Sequence, residues 1–490
     1  MIPLLQVELK KIFTKKSIYI IWGLMLIFCF LNNFLYWKDY DENGNYKYLE
    51  QEDLNEEKNR LEQELKNYNQ ENSSEVTMYI TIKTKLDILE LKQKFSSNRW
   101  QYQKINDYLY DTIYQVNYFI YIEKDNSQVE TWKEKYQLLL NKLYQNDYQY
   151  FLNQEIKSLT ENKKSLTEEY NQELDKKTKQ DLSDKIEEIE FQLNIINYRL
   201  LNQIKEDNSY LNIALEDYQE NYKIIKYYDS LNKPKTYQET LEYREALKNE
   251  KISKYIIDNK QNINKQNNLN YQLRTIVEDY EIFFVILILI VSSSIICDEF
   301  KDGTIKLLLI KPYSRGKILL SKYLTAIIIL FISILLLILM QLTIGGFFFS
   351  FSSLKIPVVI YDFNKSKLVE YSVFWYMIIR VLAKIPFFFL LITISSWLSV
   401  LSNSIIISMT LPLMLYMFNS TFIHLARQYQ LEWMKYLVNI NWNLENYLFG
   451  NLSELSFLNV KFSILILLGY FSVLLILTFT IFQKKNIKNI

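Results

Sequence analysis

Eight glycines, six prolines, two cysteines and a single histidine are all that 490 residues contain of these four types. Each scarcity removes a class of function. With no Gly-x-x-x-x-Gly-Lys-Ser/Thr stretch, the chain lacks a phosphate-cradling loop; it is not expected to hydrolyse ATP by itself, and no catalytic, cofactor or metal-ligating set stands out. Cys29 and Cys297 lie within or beside apolar runs, which argues against disulfide staples and against a thiolate metal site. His424 has no second histidine or neighbouring cysteine to share a metal, so it reads as an interfacial side chain. A basic soluble surface is missing too. Residues 38–278 hold 35 Lys and Arg against 44 Asp and Glu, a net charge of −9, while the remainder of the chain is net +10. A protein that tracks phosphates needs a basic stripe on its solvated face, so nucleic acid is not an expected partner.

What the chain does have is hydrophobic length. A bilayer core requires about 20 mostly apolar residues of helix, because backbone groups in hydrocarbon must be hydrogen-bonded internally. Six segments meet that requirement: Ser17–Tyr36, Ile282–Cys297, a stretch within Ile318–Phe348, Ser372–Val400, Ser404–Phe422 and Phe462–Phe482. The first is full length and is followed by Asn32 and Asn33 instead of small residues, so it reads as a retained span and not as a cleaved signal. Lys10, Lys11, Lys15 and Lys16 precede it. Lys301, Lys306, Lys311, Arg315 and Lys317 follow the second segment, and Lys484, Lys485 and Lys488 follow the last. Positive charge is retained in the cytoplasm. Six spans then predict a multi-pass cell-membrane protein with both termini cytoplasmic and residues 38–278 extracellular.

That outer segment has no glycine between Asn45 and Asp302, and the chain has no proline between Leu4 and Lys233. Glycine and proline are the costliest residues in a helix interior, so their absence predicts long helices joined by polar turns. Turns are expected at Asn72-Ser73-Ser74, Asp125-Asn126-Ser127 and Asn232-Lys233-Pro234. Leu182, Ile186, Ile189, Leu193, Ile196 and Leu200 form the most regular stripe; Leu54, Leu61, Leu65 and Tyr68, and Tyr79, Ile82, Leu86 and Leu89, form weaker ones. Such stripes suit an antiparallel, coiled-coil-like bundle or pairing with a second copy. The tyrosines, 39 in the chain, either rim a moderately apolar core or line a groove for an amphiphile.

One short stretch concentrates charge between two apolar runs: "CDEFKDGTIKLLLIKPYSRGKILLSKYL", residues 297–324. Asp298 and Glu299 end the second span, and Gly303-Thr304 allows a sharp turn with a helix cap. Ile305–Ile310 is apolar but too short to cross a bilayer, and Lys311-Pro312 stops it. An apolar helix at the cytoplasmic face needs a cover. Positive-inside charge alone explains the basic residues, but not Glu299 with Gly303-Thr304 and Pro312. The stretch resembles the first cytoplasmic loop of type-2 ABC exporter permeases in Glu299, Gly303-Thr304, Leu307 to Leu309, Pro312, Ser314-Arg315 and Lys322.

In that family the loop is the coupling helix that docks on a separate ATPase. "LLQVELKKIFTKKSIYIIW", residues 4–22, is similar to the family's amphipathic connecting helix, with Leu5, Leu9, Ile12 and Phe13 on one face and Glu8 in the same stretch. The resemblance covers residues 1–37 and 280–490. It implies an all-α protein with residues 1–16 as connecting helix, 17–37 as first span and 279–297 as second span; residues 38–278, read above as a helical extracellular domain, depart from it, since smaller members have only a short loop there. Residues 298–317 would be the coupling loop, and 318–490 the remaining four spans, with outer-leaflet helices at 424–461. It further implies two copies of an ATPase subunit that binds ATP and Mg, a second permease chain, identical or related, and surrounding lipid.

The substrate expected first is an amphipathic antimicrobial peptide, removed for resistance or immunity, and second a lipid or cell-envelope precursor; a membrane anchor or receptor with a helical ectodomain is the rival. Arg380 and Lys384 stand four apart in the fourth apolar segment, where charge is expensive. They belong either to a path through the membrane or to a partly interfacial helix whose long side chains reach the headgroups. Gly345-Gly346 is expected to bend the end of the third span.

Overall fold

The computed structural model of the protein describes residues 2–40, 50–68, 75–95, 99–231, 234–304 and 313–485. The expected turn at residues 72–74, most of the turn at 232–234 and the apolar stretch 305–310 with Lys311 and Pro312 lie outside the described residues. The chain divides into two compact units, one of residues 1–44, 221–252 and 263–490, the other of residues 45–220 and 253–262.

In the first unit, α1 (Ile2–Phe13) precedes α2 (Lys16–Asp39), α3 (Glu281–Lys301), α4 (Arg315–Phe348), α5 (Val373–Ser402), α6 (Ile405–Met417), α7 (Asn419–Gln428) and α8 (Val460–Lys484). Of these, α2, α3, α4, α5 and α8 are each long and apolar enough to cross a membrane, and α6 with α7, bent by 42°, makes a sixth if counted as one span. The protein is a helical membrane protein. Its central span is α3, two-thirds of which (67 %) is buried inside the protein against 11 % of α8, and it packs on α4, α5 and α6. Its run Ser292-Ser293-Ser294 can be buried because hydroxyls return to their own helix: Ser292 Oγ donates to Ile288 O at 2.6 Å and Ser293 Oγ to Leu289 O at 2.6 Å.

The Gly345-Gly346 pair does not end the third span. α4 continues through both to Phe348, and Gly345 instead permits close approach, since a Cβ there would come within 2.7 Å of Leu269 Cδ1 and 2.9 Å of Gln341 Nε2. Just below, Asn33 of α2 and Gln341 of α4 exchange amide hydrogen bonds, Gln341 Nε2 donating to Asn33 Oδ1 at 2.9 Å and Asn33 Nδ2 to Gln341 Oε1 at 3.2 Å. Neither amide could be buried in an apolar bundle alone.

The all-helical expectation needs one correction. Val358–Asp362 (β1) and Lys367–Tyr371 (β2) form an antiparallel hairpin, with Val358 opposite Tyr371 and Asp362 opposite Lys367. The β-branched run Val358-Val359-Ile360 and the alternating Leu368-Val369-Glu370-Tyr371, flanking Asn364-Lys365-Ser366, are the signal for it. Residues 38–278 also do not stay together. Within the membrane unit, Tyr237 Oη donates to Ser453 O at 2.7 Å and Arg244 Nη2 to Gly450 O at 2.6 Å, so the segment 221–252 is held by the chain around 450.

The second unit is helical, built on Glu50–Leu65, Val76–Lys92, Trp100–Tyr118, Asn126–Tyr144, Tyr148–Gln172 and Lys176–Asn202. The regular stripe behaves as a core face: Leu182, Ile189 and Ile196 are buried, with Ile186, Leu193 and Leu200 half-buried between them. Trp100, Phe151 and Leu152 centre its largest apolar cluster. Asp125, at an expected turn, caps the helix that follows, accepting from Ser127 N at 2.9 Å and Gln128 N at 3.3 Å.

Candidate functional site

α3 carries a cluster of charge at each end, and Glu281 and Glu299 stand about 27 Å apart along its axis. At the C-terminal end the cluster is built from three helices. In α1 the buried positions are Leu4, Glu8 and Ile12, spaced by four, with Leu5, Leu9 and Phe13 half-buried beside them. Glu8 therefore sits in the middle of the face that packs inward. Lys322, seven residues into α4, is 1 % exposed; its Nζ lies 3.2 Å from Glu8 Oε1 and 2.6 Å from Glu299 Oε2 and donates to Ile295 O at 2.9 Å. The ammonium donates to Glu8 Oε1 and Ile295 O and is paired in charge with Glu299, which is what allows a lysine to be buried.

Lys11 Nζ reaches Glu299 Oε1 at 2.7 Å and Glu8 Oε1 at 3.6 Å, and Lys15 Nζ reaches Asp298 Oδ2 at 2.6 Å. These cations also face the negative end of the α3 dipole. Partial burial works against the Lys11 charge, but the hydrogen bond and field of Glu299, with Glu8 behind, prevail and hold its ammonium above the ordinary range.

Of the other residues singled out after α3, those described lie at turns and helix ends. Gly303, at φ +66°, makes the turn after α3 in a conformation that favours glycine, and Thr304 beside it is exposed. Ser314 caps α4, its Oγ accepting from Lys317 N at 3.4 Å. Arg315 serves the end of another helix: its Nη1 donates to Gln483 O at 2.8 Å and Lys485 O at 2.9 Å, closing the carbonyls at the end of α8. Leu307, Leu308 and Pro312 fall outside the described residues.

At the N-terminal end of α3, Arg380 and Lys384 lie one turn apart within the continuous α5, which runs through Pro386. Arg380 pairs with Glu278, with Glu445 at 3.3 Å and with the Tyr376 hydroxyl at 2.9 Å. Lys384 Nζ lies 2.7 Å from Glu281 Oε2 and 2.5 Å from Glu445 Oε1. Glu445, Glu278 and Glu281 are functional candidates that sequence reasoning did not single out. Glu281 could have been found as a carboxylate at the edge of one apolar run, with Lys384 out of place in another. Nothing in its polar surroundings marks Glu445. His424 is exposed on α7, and Cys29 and Cys297 are buried free thiols.

Residues 246–488 match a family described as "Protein of unknown function (DUF2705)". The chain is also similar to the "Uncharacterized protein YhcI" of Bacillus subtilis (strain 168), with 27 % identity over 203 residues, 41 % of this chain. That match spans 64 % of the relative's length. No solved structure matches the chain.

Proposed function

We propose that the chain is the membrane-spanning subunit of an ATP-driven exporter of the type-2 ABC kind, paired with a second such chain and with two separate ATPase subunits that bind ATP and Mg. The observation that carries this reading is the buried set Glu8, Glu299 and Lys322. It joins the three places where the motif puts its parts: the connecting helix, the end of the second span and the start of the third. A push on residues 305–310 would be shared among α1, α3 and α4, because separating any one of them strands a charge away from water.

In this reading the termini and residues 298–317 are cytoplasmic, and the helical unit is extracellular. The substrate is an amphipathic peptide, for which a large tyrosine-rich outer unit offers contact area. Lipid or envelope-precursor export is the second choice. The test is ATP turnover by a co-purified ATPase subunit, with and without this chain. Turnover should change with the chain present, and L307E/L308E should abolish that change while leaving membrane insertion intact. Turnover that ignores both the chain and the double substitution would sink the exporter and favour a membrane anchor or receptor.

A further inference from the structure

The cluster at the N-terminal end of α3 borders a cavity of about 370 Å³, within the range of small-ligand sites. Its wall is polar and mixed in sign. Arg244, Lys248 and Arg380 contribute cations, and Glu245, Glu278 and Glu445 contribute carboxylates. A further carboxylate, Glu454, has Arg427 as its partner, so the wall is close to neutral. A neutral wall of strong local charges repels a net anion or a net cation less than it rewards a molecule carrying both.

Several groups remain available. The Nε–H of Arg380 is buried and has no acceptor. Glu245 and Lys248, one turn apart on the helix Tyr237–Asn259, make no ion pair among the described residues. Their Cβ atoms stand about 5–6 Å apart, which suits two opposite charges separated by a few bonds. One aromatic, Phe363, lines the cavity, and the Arg244 guanidinium already covers it at 3.8 Å. A quaternary ammonium would need an aromatic cage, whereas a primary ammonium needs acceptors, which this wall supplies.

The depth of the cavity identifies the source of such a group. The apolar run of α3 begins at Ile282, immediately after Glu278 and Glu281, so the cluster stands where hydrocarbon ends. Exposed Trp375 and Phe374 lie on the same turns of α5 that precede Arg380, as aromatic residues do at the headgroup level.

We propose that this cavity binds a phosphoethanolamine group, the zwitterionic headgroup of a phospholipid, with its phosphate on Arg380 and Lys248 and its ammonium on Glu245. The site needs only that α3 and α5 span the bilayer and stands whether or not the chain is a transporter.

The full chain, extracted from vesicles of mixed phosphatidylethanolamine, phosphatidylcholine and phosphatidylglycerol, is examined by native mass spectrometry for retained lipid. O-phosphoethanolamine is titrated separately in a thermal-shift assay. Selective retention of phosphatidylethanolamine, reduced about tenfold by E245Q/K248A, supports a lipid source. A thermal shift by O-phosphoethanolamine that the same variant loses, without lipid selectivity, supports a soluble source of the same group. Both substitutions fall on solvated positions without ion pairs, so the fold is retained; R380M, which breaks the cluster, serves as the second variant. Absence of both signals, or signals that E245Q/K248A leaves unchanged, overturns the site.

Discussion

At one end of α3 a lysine is enclosed by two carboxylates and a carbonyl and is 1 % exposed. At the other end, an arginine and a lysine share three glutamates beside open volume, with one guanidinium N–H unspent. The two clusters draw on the same residue types. They differ in enclosure. A network enclosed among three helices ties them in one arrangement, whereas one with a spare donor beside a cavity can take a ligand. Position on α3 thus separates a joint from a receptor site within one helix.

The sharpest way to break this contrast is at the joint. K322M leaves Glu8 and Glu299 with only the half-exposed Lys11 as cation, and stability should fall by about 3–5 kcal/mol, the usual cost of removing one partner of a buried pair. Thermal unfolding of the detergent-solubilised chain measures it. The triple replacement E8L/E299L/K322M should recover most of that loss, because well-packed apolar groups substitute for buried charge. If recovery fails, the pairing of Lys11 with Glu8 and Glu299 carries as much of the stability as that of Lys322.

K384M tests the other end. Glu445 keeps Arg380, so one carboxylate, Glu281, is left to adjust, and a smaller loss of about 3 kcal/mol is expected in the same assay. A loss larger than that of K322M would reverse the ranking of the two clusters.

Gly345→Leu probes packing without charge. Its side chain would meet Leu269 and Gln341, and overpacking of this kind costs about 1–3 kcal/mol. A neutral result would show that α2 and α4 separate without loss of the Asn33–Gln341 pair.

The smallest effect belongs to the second unit. Its helix caps Asp125, Asp147 and Asp175 are held below the ordinary aspartate range: Asp125 by the Ser127 hydroxyl, Asp147 by Lys142, and Asp175 by the Thr178 amide. A carboxylate whose folded pKa is depressed stabilises the fold above its unfolded value of about 4 and loses that contribution as pH falls through the folded value. Native chain and D125N/D147N/D175N should therefore differ in melting temperature at pH 6 and converge toward pH 3. A gap that persists at pH 3 would assign the caps a role independent of ionisation.

Much of this architecture was legible locally. Apolar length gave the spans, and the glycine-free segment gave its helices, because both depend on neighbours within a few residues. The hairpin at 358–371 was missed: its two strands are five residues each and lie between spans whose hydrophobicity dominates the region. The face of α1 was only half legible. Its apolar residues turn inward as an amphipathic pattern requires, yet the buried row contains Glu8, with Lys11 reaching Glu299 beside it, and no periodicity places a carboxylate in a core. Arg380 and Lys384 stood out as charges in an apolar run, while Glu445 did not stand out among polar neighbours.

By itself the sequence determined which segments are apolar enough to leave water, which become helices, and which charges are out of place in them. Only the tertiary structure decided how those charges are matched: Lys322 with Glu8 across 314 positions, Arg380 with Glu445 across 65. The physical reason is range. Helix periodicity is written in residues three and four apart, but the cost of a buried charge is cancelled by whichever distant helix packing brings within about 3 Å.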